Sequence, residues 1–351
     1  MAILAERFVH VIGVDTHKRT FTAAVLNNVG GVLESCDVEA TARGNQQLLA
    51  MAARYPGPVL WAVEGTGSYG ASLAERLVNA GQAVTEVDRP KRGIRKRGKS
   101  DQIDAVRAGR DALAMKELYL PRRRQQREEL RLLQVTRAQL VSTRTTLCNH
   151  LQHLVVTSSE RMRARFLEPT RRSHASERLV KKCLASRSAI GLSREDQTRL
   201  RTMRDVARLI VDLTRRADEY EREMNGLVQA MADGLLAQPG LGTLTAAQIL
   251  VSWSHSGRIA SEAAFASLAG VAPIPASSGQ TIRYRLNRGG DRKLNAALHT
   301  VVLNRCRYHQ ETRDYVARRC AEGKTHREIR RCLKRYLARQ LFRFLSQLDE
   351  G

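Results

Sequence analysis

The apolar residues of this chain obey one spacing rule near its start and another further on. The change of rule limits what the chain can fold into. Up to residue 88 they come in runs of strand length: FVHVIGVD, then TFTAAVLN after the three-residue turn THK, then GVLESCDVE. Three such runs joined by short turns predict an antiparallel meander. Residues 41–54 then read as a helix with Leu48, Leu49 and Met51 on its apolar face. GPVLWAVE reads as a buried strand, residues 68–80 as a helix and QAVTEVD as a strand. Three strands followed by alternating helices and strands predict an α/β domain, a mixed sheet with helices on its faces.

From Pro121 glycine becomes rare and the spacing turns helical. Leu133, Leu140, Leu147 and Leu154 recur at every seventh position. Met203, Val206, Ile210, Leu213, Ala217, Tyr220, Met224, Leu227 and Met231 then follow the alternating three-and-four spacing of an a/d seam. One long helix of an ordinary bundle would meet the same pattern. We read an antiparallel hairpin that also joins copies of the chain, hence an all-α coiled-coil middle and a homo-oligomer, dimer or tetramer. At LLAQPGLGTLTAAQILVSW the seam breaks. The Pro-Gly-Leu-Gly turn between apolar helices is either a helix-hairpin-helix offering backbone N–H groups to a phosphate or a plain tight turn. The division predicted is therefore 1–120, 121–236 and 237–351, the last mainly α.

Charge narrows the function. The net charge is +24, yet residues 1–88 carry 6 Lys/Arg against 9 Asp/Glu, so the remaining 263 residues hold +27. From Thr281 to Arg343 there are 18 Lys/Arg and 5 Asp/Glu. Such a field attracts polyanions: DNA, RNA or an anionic membrane surface. No apolar run reaches the length of a spanning helix, and Glu6 and Arg7 stand where a signal peptide needs apolar residues. A soluble cytoplasmic protein is expected. The six cysteines show no metal spacing and read as reduced thiols, and His150 and His153, without a third ligand nearby, read as surface polar residues.

One stretch joins opposite charges. In RPKRGIRKRGKSDQIDA seven of the first eleven residues are basic, and Asp101 and Asp104 follow, three apart. If Ser100 caps a helix there, both aspartates lie on one helical face. Asp15 ends the first apolar run and Glu64 ends a buried strand. Each alone suits a turn or a helix start. Four carboxylates gathered together repel one another unless a divalent cation lies among them, and Mg²⁺ prefers such oxygen ligands. The basic run, Arg92, Arg95, Lys96, Arg97 and Lys99, would draw in a nucleic-acid backbone beside that metal.

The order VIGVDTHK, VEGTGSYG, KSDQIDA resembles the N-terminal domain of insertion-sequence transposases of the IS110 type, relatives of the recombinases that invert pilin genes. The resemblance implies a RuvC-like domain of RNase H fold with a D-E-D-D tetrad that binds Mg²⁺ or Mn²⁺, here Asp15, Glu64, Asp101 and Asp104. Thr66, Gly67 and Tyr69 match the residues that follow the glutamate. FASLAGVAPIPASSGQTIRYRLNRGGDRKLNAAL resembles the transposase domain of the same family. There Ser278, followed by Gly279, falls on the position of a serine that attacks DNA and forms a phosphoserine intermediate, with Ser277 beside it. Arg283, Arg285, Arg288, Arg292 and Lys293 are candidate phosphate ligands. The resemblance further implies donor and target DNA as substrates, a guide (bridge) RNA, and active sites whose two halves come from different subunits. Three other readings compete with this one. A metal-only junction resolvase would leave Ser278 idle. An actin-like ATPase or sugar kinase would need a second phosphate loop that is not found. A non-enzymatic RNA-binding protein would leave the carboxylates unexplained.

Overall fold

In His10–Thr16 (β1) every residue after the first is buried, as in the central strand of a sheet covered on both faces. Thr20–Asn27 (β2) and Val32–Glu39 (β3) follow, and Ala42–Ala52 (α1) leads to Val59–Glu64 (β4), Ala71–Asn79 (α2), Ala83–Val87 (β5) and Asp101–Leu113 (α3). The computed structural model describes residues 3–87, 100–167, 175–187, 191–276, 284, 285, 287 and 289–348. The strand order is β3-β2-β1-β4-β5. The first three strands are antiparallel, and β4 and β5 run parallel to β1. β3 alternates exposed and half-buried residues, as suits an edge. The meander, the mixed sheet and its flanking helices are as the spacing predicts.

The two faces of the sheet bury different sets. Ile12, Val14, Trp61, Val63 and Val84 pack with Leu48, Met51, Leu73 and Leu77 of α1 and α2. Val11, Leu60, Ala62 and Val87 pack with Ala108 and Ala112 of α3. Period-two alternation along each strand produces this division.

The rest of the described chain is mostly helical: Gln125–Val156 (α4), Glu160–Phe166 (α5), Ala175–Ala185 (α6), Arg194–Met231 (α7), Thr243–Trp253 (α8), Glu262–Leu268 (α9), Arg292–Tyr308 (α10), Gln310–Ala321 (α11) and His326–Gln347 (α12). A two-stranded ribbon, Ile274–Pro275 (β6) with Tyr284–Arg285 (β7), lies between α9 and α10. Residues 1–125, 253–288 and 338–351 form one compact unit, and residues 126–252 and 289–337 form another. Among the described residues no helix is long and apolar enough to cross a membrane. All six cysteines are free, and burial pushes the Cys183 thiol up to about 11.

Within the second unit α4 and α7 run antiparallel. Arg137 meets Glu221 at 2.5 Å, and Arg199 donates to the Leu154 carbonyl at 3.0 Å. The seam of α7 divides along its length. Met203, Ile210, Ala217 and Met224 are buried, together with Leu200, Ala207 and Val228, whereas Leu213, Tyr220 and Leu227 are half-buried. Every seventh residue of the predicted row from Met203 to Met224 thus stays buried, while Ala207 and Val228 are buried one residue beside it. Its first half enters a bundle core with Leu151, Val155, Met162, Phe166, Leu179 and Cys183. The Pro239–Gly240 turn is a packed turn here. Arg305 donates to the Pro239 carbonyl at 2.7 Å, and the Gly242 N–H is taken by Thr245 Oγ1.

Candidate metal centre

Strand parity sets two carboxylates on one face. Val11 and Gly13 of β1 and Leu60 and Ala62 of β4 face α3, so Asp15 and Glu64, two residues beyond, face it as well. The parallel register aligns Val14 with Val63, which brings Asp15 level with Glu64 at the carboxyl ends of neighbouring strands. The Thr16 hydroxyl donates to the Glu64 carbonyl at 2.8 Å and ties the two ends together. Both acids are almost fully buried, Asp15 at 5% and Glu64 at 6% exposure.

The helix that carries the other two comes close because two glycines let it. A Cβ on Gly13 would lie 2.0 Å from the Ala105 carbonyl oxygen and 2.6 Å from the Gly109 nitrogen. Backbone therefore meets backbone where α3 crosses β1. Asp101 and Asp104 occupy the first turn of α3, where the helix dipole favours negative charge. Ser100 is the N-cap residue, as expected, in extended backbone, although its hydroxyl makes no capping hydrogen bond. The Ser100 carbonyl accepts from the Asp104 N–H instead.

The four carboxylates converge in two pairs, one bridged by His17 and one by Arg107. His17 Nε2 lies 3.3 Å from Asp15 Oδ2 and 3.4 Å from Asp101 Oδ1. Arg107 Nη2 donates to Glu64 Oε2 at 2.8 Å, and its Nη1 donates to Asp104 Oδ1 at 2.9 Å. The pairs are electrostatically one cluster. Burial holds the Asp15 carboxyl above the usual range, His17 opposes this, and the charges of Asp104 and Asp101 add to it. One ligand atom from each of Asp15, His17 and Asp101 can be chosen so that all lie within 4.8 Å of one another. A buried carboxyl whose proton affinity is raised by burial and by neighbouring carboxylates suits a hard divalent cation such as Mg²⁺ or Mn²⁺. The imidazole is the one softer donor in the set.

Neither His17 nor Arg107 stands out in the sequence reading, although local spacing carried a signal. His17 is two residues past Asp15 in the hairpin turn, where its N–H donates to the Thr20 carbonyl. Arg107 is one helical turn past Asp104. In the loop after β4, Gly65 takes a positive φ of 70°, Tyr69 is exposed, and buried Thr66 leaves its hydroxyl without a partner among the described residues. Arg285 lies exposed in β7, and Arg292 and Lys293 lie exposed in the first turn of α10. Arg92, Arg95, Lys96, Arg97, Lys99, Ser277, Ser278, Arg283 and Arg288 lie outside the described residues. His150 and His153 are exposed on α4.

Two family models match the chain, and they span the elements just described. One, for DEDD transposases of the IS110 type, covers residues 12–158, with all four carboxylates inside it. The other, described as the transposase IS116/IS110/IS902 family, covers residues 232–317. The chain belongs to the IS110 family of transposases. An insertion element IS110 uncharacterized 43.6 kDa protein of Streptomyces coelicolor is 34% identical to this IS110-family chain over 128 residues. That match covers 36% of the chain and 32% of the relative, about a third of the relative's length.

Proposed function

We propose that this chain is the DNA transposase of an insertion sequence, a recombinase that cuts and rejoins donor and target DNA. The observation that carries the reading is the convergence of Asp15, Glu64, Asp101 and Asp104 on the α3 face of the sheet, joined through His17 and Arg107. The strand order supports an RNase H, RuvC-like domain. The acidic tetrad binds Mg²⁺ or Mn²⁺, and such ions stabilise charge on the attacking and leaving oxygens of a phosphodiester displacement.

Ser278 is the nucleophile in this reading. Its Oγ loses a proton and forms a bond to phosphorus, the bond to the leaving sugar oxygen breaks, and that oxygen takes up a proton. The DNA is left as a phosphoserine ester, and rejoining reverses the step with another strand's hydroxyl. The segment that leads to the serine belongs to the same compact unit as the sheet. It is held there by an Arg123 N–H to Ser254 Oγ hydrogen bond at 3.1 Å and by Arg258 near Glu86 at 3.9 Å. Aromatic contacts of Trp253 with Phe265 and Phe342, and the ion pairs of Glu262 with Arg339 and Arg343, stiffen the same segment.

The family resemblance extends the proposal to a guide RNA and to a homo-oligomer joined through α4 and α7. The basic residues outside the acidic centre then hold nucleic acid, with no base-reading helix required of the protein. The test is to trap the protein on cleaved DNA under denaturing conditions. A covalent adduct that disappears in Ser277→Ala/Ser278→Ala supports the reading. Cleavage without any adduct would instead make the chain a metal-only nuclease of the junction-resolvase kind.

A further inference from the structure

Arg107 divides the acidic centre in a way that bears on how many ions it takes. Its guanidinium spends one Nη on Glu64 and the other on Asp104, and its Nε lies 3.6 Å from Asp111 Oδ2. Glu64 and Asp104 are both largely shielded, with side-chain exposures of 7% and 16%. A guanidinium cannot lose its proton in a protein, so this positive charge is permanent. It sits between two carboxylates that a cation would otherwise bridge. A divalent ion approaches carboxylate oxygen to about 2.1 Å, whereas each Nη here sits 2.8 or 2.9 Å away. The lone pairs that accept from Arg107 are therefore not available to a metal at the same time. The opposite half of the centre is built differently. Asp15 and Asp101 face an imidazole, His17, whose Nε2 lies 3.3 and 3.4 Å from their oxygens and is itself of a kind that ligates metals.

We propose that Arg107 is a resident cation in the second metal position. A first divalent ion binds on Asp15 and Asp101 with His17, and a second binds only when Arg107 releases Glu64 and Asp104. The proposal rests on the reading of the tetrad as a metal centre and adds to it an order of loading and a positioning residue. Arg107 has a tether suited to this exchange. It stands on the same helix as Asp104, one turn on, and Asp111 lies one further turn along. A guanidinium that leaves the centre thus finds another carboxylate beside it.

The experiment is a Mn²⁺ titration of the full-length chain without nucleic acid, counting bound ions by the loss of the free-ion electron paramagnetic signal. The wild type is expected to bind one ion per chain, with a second at least about tenfold weaker. Arg107→Met should bring the second ion to within a few-fold of the first, and Arg107→Lys, which keeps the charge, should resemble the wild type. If Arg107→Met does not fold, Arg107→Gln carries the same expectation. Asp15→Asn should remove the first ion in every background. Two ions of equal affinity in the wild type, or an unchanged second affinity in both neutral variants, would overturn the role of Arg107 while leaving the metal centre intact. Binding indifferent to Asp15→Asn would overturn the metal centre itself, and this inference with it.

Discussion

At the residue scale the centre is held in balance by charges that would separate without their partners. Replacing Asp101 or Asp104 with Ala should abolish strand cleavage while nucleic-acid binding persists or tightens, because a negative charge is removed beside a basic run. Gel-shift and cleavage assays on one DNA substrate check both halves, and binding lost with cleavage kept would refute the metal assignment. Asp15 offers a pH test in the metal-free protein. Its carboxyl is held above the usual range, chiefly by burial, so the folded state takes up its proton at higher pH than the unfolded chain does. Ionised Asp15 therefore costs stability above the folded-state value, and the cost disappears as pH falls through that value. Asp15→Asn should raise the thermal midpoint at pH 7 relative to the wild type, and the difference should shrink with acidification. A difference that grows on acidification would contradict the assignment. Asp15 and Glu64 were legible in the sequence because each ends an apolar strand. His17 and Arg107 were not, because their importance depends on which carboxylates the fold brings to them.

At the scale of elements the decisive contact is α3 on β1. Gly13→Ala should cost about 3 kcal/mol, at the upper end of the range for overpacking. The added carbon meets the Ala105 and Gly109 backbone, which cannot rotate away. Gly109→Ala should cost less, because its nearest obstacle is the end of the Leu26 side chain at 2.6 Å and alanine gains helix propensity. Chemical denaturation gives both values, and equal costs would argue against the backbone contact. Separation of α3 from β1 should also reduce Mn²⁺ binding in Gly13→Ala. In the helical unit, Met203→Ala should cost about 2–5 kcal/mol as a core truncation, since Met203 is fully buried among α7's neighbours. The row Leu213, Tyr220 and Leu227 carries a different expectation. Leu213→Lys/Leu227→Lys should leave the chain folded by circular dichroism but lower its oligomeric state in sedimentation. The seven-residue spacing made long helices readable, but it could not say which row an antiparallel neighbour would cover.

At the scale of the whole molecule the charge is partitioned: a slightly acidic sheet domain and a remainder with +27. Replacing Arg95, Lys96 and Arg97 together should weaken nucleic-acid binding and flatten its dependence on salt, since fewer counterions are released. An unchanged salt slope would place the contact elsewhere. Composite sites shared between chains can be tested by mixing Asp101→Ala with Ser277→Ala/Ser278→Ala protein. Random dimers in which each site borrows its serine from the partner should regain about a quarter of wild-type cleavage, one intact site in half of the dimers. No recovery in mixtures shown to exchange subunits would mean that each chain supplies its own serine.

What the sequence alone determined is periodicity and charge: the sheet, the long helices, the four acids at element ends and the basic remainder. These follow from local spacing, which a chain carries before it folds. Only the tertiary structure decided that Asp15 and Glu64 stand level on the α3 face, that Gly13 lets α3 reach them, and that His17 and Arg107 bridge the carboxylates in pairs. Those relations reach across as much as 96 residues of chain, from Gly13 to Gly109. Strand register and helix–sheet contact create them, and neither has a signature in the spacing of neighbouring residues.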